Sequence, residues 1–175
     1  MPDIILVSGG TKSGKSEFAE KLAKKYLNVT YIALSEDRPN DINWQKKILI
    51  HKSRRPKEWK SFETDNLFPI LKKDNGVLLI DSIGGFVVKS LNDNDTNWRK
   101  YLNNLIKLLS SYKNKIIIVG EQVGWGLVSE YKIGNLYAER LGNVLKEITK
   151  ISNENWLTIN GKAIKLDNMF VNITD

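Results

Sequence analysis

One run limits the fold of this chain more than any other. Gly9-Gly10-Thr11-Lys12-Ser13-Gly14-Lys15-Ser16 satisfies G-x-x-x-x-G-K-S and lies between the apolar run Ile4–Val7 and a segment of helical periodicity. That setting matters. Glycines permit the backbone angles that turn successive N–H groups inward, and the partial positive charge at the start of the next helix adds to this nest of donors. The helix is legible from Ser16 onward: Phe18, Ala19, Leu22, Ala23 and Tyr26 share one side, and Glu17, Glu20, Lys21 and Lys24 the other. A strand, loop and helix of this kind hold a chain of phosphates. Lys15 is predicted to reach the β- and γ-phosphates of a nucleoside triphosphate, and the Ser16 hydroxyl to coordinate Mg²⁺.

The rest of the chain continues the alternation. Val29–Leu34 reads as a second strand, the polar stretch Ser35–Asn43 with Pro39 as a loop, and Trp44–Ile50 as a short helix ended before Pro56. Gly76–Asp81 is a third buried strand with an acid at its end, and Ile83–Leu91 reads as helical despite Gly84 and Gly85. Trp98, Leu102, Leu105, Leu109 and Tyr112 mark one face of a helix; Ile116–Val119 is a fourth strand; Tyr137, Leu141, Val144, Leu145 and Ile148 define a last amphipathic helix. Trp156–Ile159 and Ala163–Leu166 flank Asn160-Gly161, whose tolerance of positive φ suits a type I′ hairpin turn. The predicted class is α/β: a mostly parallel sheet with helices on both faces, finished by a C-terminal antiparallel hairpin. With no repeat, low-complexity tract or linker, residues 1–175 read as one domain.

Composition narrows the chemistry. A hydrophobic share of 41% supports a real core, and zero cysteines exclude disulfides, thiolate metal sites and a cysteine nucleophile. No apolar run approaches the roughly 18–20 residues of a spanning helix, and the N-terminus lacks a secretion signal, so a cytoplasmic protein without a membrane partner is expected. The net charge of +7 suits nucleic acid, a membrane surface or a polyphosphate equally. Lysines are spread along the chain as on a solvating surface, and the dense cluster is Lys52, Arg54, Arg55 and Lys57. Trp44, Trp59, Trp98, Trp125 and Trp156 are scattered and do not interleave with basic residues, so a nucleic-acid groove is not expected.

Asp81, ending an apolar strand, stands where the Mg²⁺-binding acid of such an enzyme belongs, although an aspartate there also suits the cap of the next helix. The only histidine, His51, sits in Ile50-His51-Lys52-Ser53-Arg54-Arg55-Pro56. By type alone it reads as a surface or packing residue. Its cationic neighbours disfavour imidazolium, however, and keep the ring neutral as attack on phosphorus requires, while the arginines can grip polyphosphate oxygens. Glu63 can accept hydrogen bonds from a base, a ribose or Arg54, or form a surface ion pair; Trp59 suits core or interface. Glu121, Gln122, Gly124, Trp125 and Gly126 follow the fourth strand, at the edge where open α/β sheets place ligands.

These segments together resemble the bifunctional adenosylcobinamide kinase / adenosylcobinamide-phosphate guanylyltransferase family of cobalamin biosynthesis. The resemblance runs through the phosphate loop, Tyr31-Ile32-Ala33, Lys47-Ile48-Leu49-Ile50-His51-Lys52 with Arg55, Trp59 and Glu63, then Leu78-Leu79-Ile80-Asp81-Ser82 and Val123-Gly124-Trp125-Gly126-Leu127-Val128. It implies a RecA-like phosphate-loop NTPase fold, a homotrimer, and a two-step enzyme that phosphorylates adenosylcobinamide, a corrinoid, with ATP or GTP and then attaches GMP from GTP. It implies that His51 carries the guanylyl group. Nucleotide contacts are implied for the phosphate loop, for Ala33, Leu34 and Ser35, for Lys52, Ser53, Arg54 and Arg55, and for Glu63 and Asp81. Lys12 stands where the family has an arginine, Leu34 where it has a threonine, and Ser129 where it has a proline.

Overall fold

The computed structural model describes residues 3–35, 54–73, 76–126, 128–167 and 169–170. Its centre is a seven-stranded sheet of order β3-β2-β4-β5-β1-β6-β7, with β1 Asp3–Gly9, β2 Val29–Leu34, β3 Lys60–Thr64, β4 Val77–Asp81, β5 Lys115–Glu121, β6 Glu154–Ile159 and β7 Lys162–Lys165. All pairings are parallel except that of β6 with β7. Asn160 (φ 50°) and Gly161 (φ 76°) both take positive φ in the turn between those two, as the type I′ reading required.

Five helices are described: α1 Lys15–Ala23, α2 Phe68–Lys73, α3 Gly84–Val88, α4 Asp95–Ser111 and α5 Lys132–Ile151. Strand alternation sends Ile4, Leu6, Ile32, Ile80, Ile116 and Ile118 to the face covered by α2 to α5, and Ile5, Val7, Tyr31, Leu79, Ile117 and Val119 to the face covered by α1. Strands buried on both faces explain why the sequence shows continuous apolar runs instead of alternation. A fully buried Ile or Val of this kind contributes about 1.5–3 kcal/mol, so these runs dominate the choice of strand over helix. Arg140 on α5, itself buried, bonds the Ser90 carbonyl and, at 2.7 Å, the Asp93 carbonyl, which ties α5 to the connection between α3 and α4. Among the described residues no helix is long and apolar enough to cross a membrane.

Two elements lack a sequence forecast. β3 is exposed along most of its length and is held by backbone pairing to β2, so it carries no buried apolar pattern to detect. α2 is short and takes Pro69 in its first turn, where the missing N–H costs nothing. The helix expected over Ile83–Leu91 is confined to Gly84–Val88. Gly85 lets it approach the sheet, because a Cβ there would overlap the Leu34 carbonyl. The helix expected over Trp44–Ile50 lies outside the described residues, as do His51, Lys52 and Ser53.

Candidate active site

The parallel order brings the C-terminal ends of β1, β4 and β5 to one edge, and the chemistry-bearing residues leave the sheet there. β1 ends at Gly9, and the loop that follows uses left-handed backbone at Lys12 (φ 56°) and Gly14 (φ 94°). Gly14 caps α1 with no side-chain cap bond, which leaves the first-turn N–H groups of that helix for an anion. Lys15 Nζ donates to the Gly10 carbonyl at 3.1 Å and so lies folded over the loop.

The C-terminal hairpin braces the loop from outside. The Ser13 and Thr158 hydroxyls are 2.8 Å apart, Thr158 Oγ1 donates to the Ser8 carbonyl at 3.2 Å, and the Gly161 N–H donates to the Ser13 carbonyl at 3.0 Å. Gly9 makes the contact possible, since a Cβ there would collide with Thr158. Thr158→Val keeps the shape and removes the hydroxyl, stranding buried partners; a loss of about 1–3 kcal/mol in denaturant unfolding is expected, with recovery in Thr158→Ser. An unchanged midpoint in the valine variant would show that the hairpin does not brace the loop.

Asp81 ends β4 opposite the loop. Ser16 Oγ donates to its Oδ1 at 3.1 Å and Tyr31 Oη to its Oδ2 at 3.0 Å. The capping alternative finds no support: α3 is capped at Ile83, without a side-chain bond. A serine oxygen beside a carboxylate is a hard, oxygen-only donor pair that fits Mg²⁺, which takes one or two protein ligands and completes its shell with phosphate and water. Among the described residues there is no group of three or more His, Cys, Asp or Glu side chains placed to hold a metal ion.

Tyr31 is buried, and burial first and the Asp81 charge second push its phenol well above the ordinary range. The Arg55 guanidinium lies 3.4 Å from the centroid of the Tyr31 ring. Arg54 pairs with Glu17 at 3.0 Å and with Glu20 at 3.4 Å, both on α1. Burial pushes the Glu20 carboxyl up, with Arg54 pulling the other way. Ala33 is half-buried, whereas the Leu34 side chain is in the core and its carbonyl packs against Gly85. The Ser35 N–H donates to the Thr64 carbonyl at 3.2 Å, and Glu63 is exposed on β3 in register with Ala33. Trp59 is buried in the α1-side core, which decides for packing over interface.

The structure therefore gathers the loop, Lys15, Ser16 and Asp81 tightly, with Arg54 and Arg55 just behind them. It adds residues that sequence reasoning passed over: Tyr31 as partner of Asp81, Thr158 as brace, Glu17 and Glu20 as partners of Arg54, and Ser82, whose hydroxyl donates to Glu121. Hydroxyls in a buried strand, at Thr30 and Tyr31, were a signal that polar partners lay nearby; Thr158 had none, because its partners are about 150 residues away.

A family model described as cobinamide kinase / cobinamide phosphate guanyltransferase (CobU) matches residues 5–166. The bifunctional adenosylcobalamin biosynthesis protein CobU of Escherichia coli K12 is 28% identical over 181 aligned residues, covering 93% of this chain and 99% of the relative. CobU of Salmonella typhimurium LT2 is 27% identical with the same coverage, and CobP of Pseudomonas aeruginosa PAO1 is 27% identical over 172 residues, covering 95% of this chain and 97% of its own. Two solved structures share the fold alone. An ATPase from a bacterial type III secretion system superposes with TM-score 0.52 at 12% identity, covering 98% of this chain, which spans 59% of that protein. A protein of Pyrococcus horikoshii OT3 superposes with TM-score 0.51 at 11% identity, covering 96% of this chain and 87% of its own.

Proposed function

The chain belongs to the cobinamide kinase / cobinamide phosphate guanyltransferase family, and from that premise we propose that it catalyses both reactions on one nucleotide-binding domain, residues 1–175. In the first, the γ-phosphate of ATP or GTP passes to the aminopropanol hydroxyl of adenosylcobinamide. In the second, GMP from GTP passes through a guanylyl-histidine at His51 to the cobinamide phosphate, giving adenosylcobinamide-GDP. The observation that carries the reading is the convergence of Lys15, Ser16 and Asp81 on the mouth of the phosphate loop. The active form we propose is a cytoplasmic homotrimer that engages neither nucleic acid nor membrane.

The residues divide the work physically. The loop N–H groups and Lys15 bind the phosphates, Lys15 exchanging its Gly10 carbonyl for phosphate oxygens. Mg²⁺ held by Ser16 and Asp81 would supply charge neutralisation between the phosphates. Tyr31, bonded to the other Asp81 oxygen, holds that carboxylate toward Ser16. Arg54 anchors the chain that follows His51 to α1, the helix the loop opens. That tether favours His51 as the group reaching the α-phosphorus: its nitrogen forms a bond to phosphorus, pyrophosphate departs, and a phosphate oxygen of the acceptor then displaces the imidazole.

Incubation with α-labelled and with γ-labelled GTP plus Mg²⁺, without corrinoid, tests the reading. Acid-labile labelling of the protein by the α-label alone is expected, with discharge onto cobinamide phosphate. A protein that transfers the γ-label to cobinamide yet never takes up the α-label is instead a small-molecule kinase without a covalent intermediate.

A further inference from the structure

Glu121 ends β5, between the phosphate-loop strand β1 and the Asp81 strand β4; its register partner is Gly9, and the next N–H, from Gln122, donates to the Gly9 carbonyl at 2.9 Å. One carboxylate oxygen accepts the Ser82 hydroxyl. The other, Oε2, is buried and has no hydrogen-bond partner among the described residues. A carboxylate so poorly satisfied is a strong proton acceptor. Other carboxylates near the loop are occupied or remote: Asp81 by Ser16 and Tyr31, Glu17 and Glu20 by Arg54, while Glu63 is exposed on the edge strand.

The two reactions differ in their need for a base. A neutral imidazole and an ionised phosphate oxygen attack phosphorus without losing a proton, whereas an alcohol must give one up. Resting on the reading above, we propose that Ser82 and Glu121 form a proton relay that deprotonates the acceptor hydroxyl in the kinase step and takes no part in guanylyl transfer. Ser82 is half-buried and follows Asp81 directly at the sheet edge; in the proposed relay it meets the acceptor hydroxyl, and Glu121 acts behind it. The hydroxyl proton moves to Ser82 Oγ as the Ser82 proton moves to Glu121. The freed oxygen bonds to the γ-phosphorus, and the bond from that phosphorus to the β–γ bridging oxygen breaks, leaving its electrons on the nucleoside diphosphate.

Burial pushes the Glu121 carboxyl up, opposed by the Ser82 bond and by Lys15 on α1, while Asp81 on β4 adds to the rise. Tyr137 on α5 also faces it, and burial and the Glu121 charge push its phenol up to about 12. The raised carboxyl gives the kinase step an acidic limb displaced toward neutrality.

The test uses the full-length protein and its Ser82→Ala, Glu121→Gln and double variants, reading γ-label transfer to cobinamide and, separately, α-label on the protein. Each single variant is expected to lose about 10²–10⁴-fold in kinase kcat, the range for one general base, and the double variant no more than either. KM for the triphosphate and the rate of α-labelling stay at parent values, and the acidic limb of the kinase profile disappears in Glu121→Gln. Additive losses, an unchanged kinase kcat in either variant, or a parallel fall in α-labelling would each overturn the relay. Absence of γ-transfer from the parent protein would overturn the kinase reading itself, a distinguishable result.

Discussion

His51→Ala is expected to leave the protein wholly unlabelled by α-labelled GTP while it still transfers the γ-label to cobinamide. The expected size of the effect is total because His51 is the chain's one histidine and, in the proposed mechanism, the sole carrier of the guanylyl group. A phosphorus bound to an imidazole nitrogen is acid-labile and base-stable, unlike an ester at a serine or tyrosine, so the stability of the label separates attachment at nitrogen from attachment at oxygen, and its loss in His51→Ala separates the imidazole from a lysine amine. Lys52, Arg54 and Arg55 follow His51 closely in sequence. Label retained in the variant, stable to acid, would place the intermediate on an oxygen and remove His51 from the mechanism.

Lys15→Ala is expected to impair both reactions together. The ammonium group lies over the loop, 3.1 Å from the Gly10 carbonyl. A charge-assisted bond of about 1.5–3 kcal/mol to phosphate corresponds to roughly a ten- to hundredfold loss of triphosphate affinity by calorimetry. Charge that grows on the departing oxygens raises the loss in kcat to about 10²–10³-fold for phosphate transfer and for α-labelling alike. Because the Lys15 side chain hydrogen-bonds its own loop among the described residues, thermal stability should hold. Wild-type affinity in a folded variant would contradict the assignment of the loop as the triphosphate seat.

The contrast between these two variants and the Ser82 and Glu121 pair is physical. In the proposed scheme Lys15 serves any triphosphate, so its removal costs every reaction that uses one; His51 serves only the covalent step; a proton relay serves only the step whose nucleophile is an alcohol. Three distinct loss patterns across two labels therefore report three separable functions at one sheet edge.

Much of the fold was legible because buried parallel strands and amphipathic helices write their burial into consecutive residues. Ile4–Val7, Val29–Leu34 and Ile116–Val119 read as strands and Asn160-Gly161 as a type I′ hairpin turn, and the structure has each of them so. β3 was not legible, since an exposed edge strand is specified by the backbone donors of its neighbour and not by its own side chains. Of the candidate site, the placement of the phosphate loop and Asp81 was readable because it depends on local spacing: glycines that suit left-handed backbone, a lysine and serine opening a helix, and an acid closing an apolar strand.

What the sequence alone determined is thus a strand, loop and helix able to hold phosphates, and the α/β class that follows from its alternation. The tertiary structure alone decided which residues serve that loop from a distance. Thr158 braces it, Tyr31 orients Asp81, Arg54 is claimed by α1, and Ser82 meets Glu121. These pairs are set by strand order, which places β5 between β1 and β4 and folds the C-terminal hairpin against the first turn. Hydrogen bonds between residues dozens to about 150 positions apart leave no periodic trace in a chain, because their geometry exists only once the sheet has assembled.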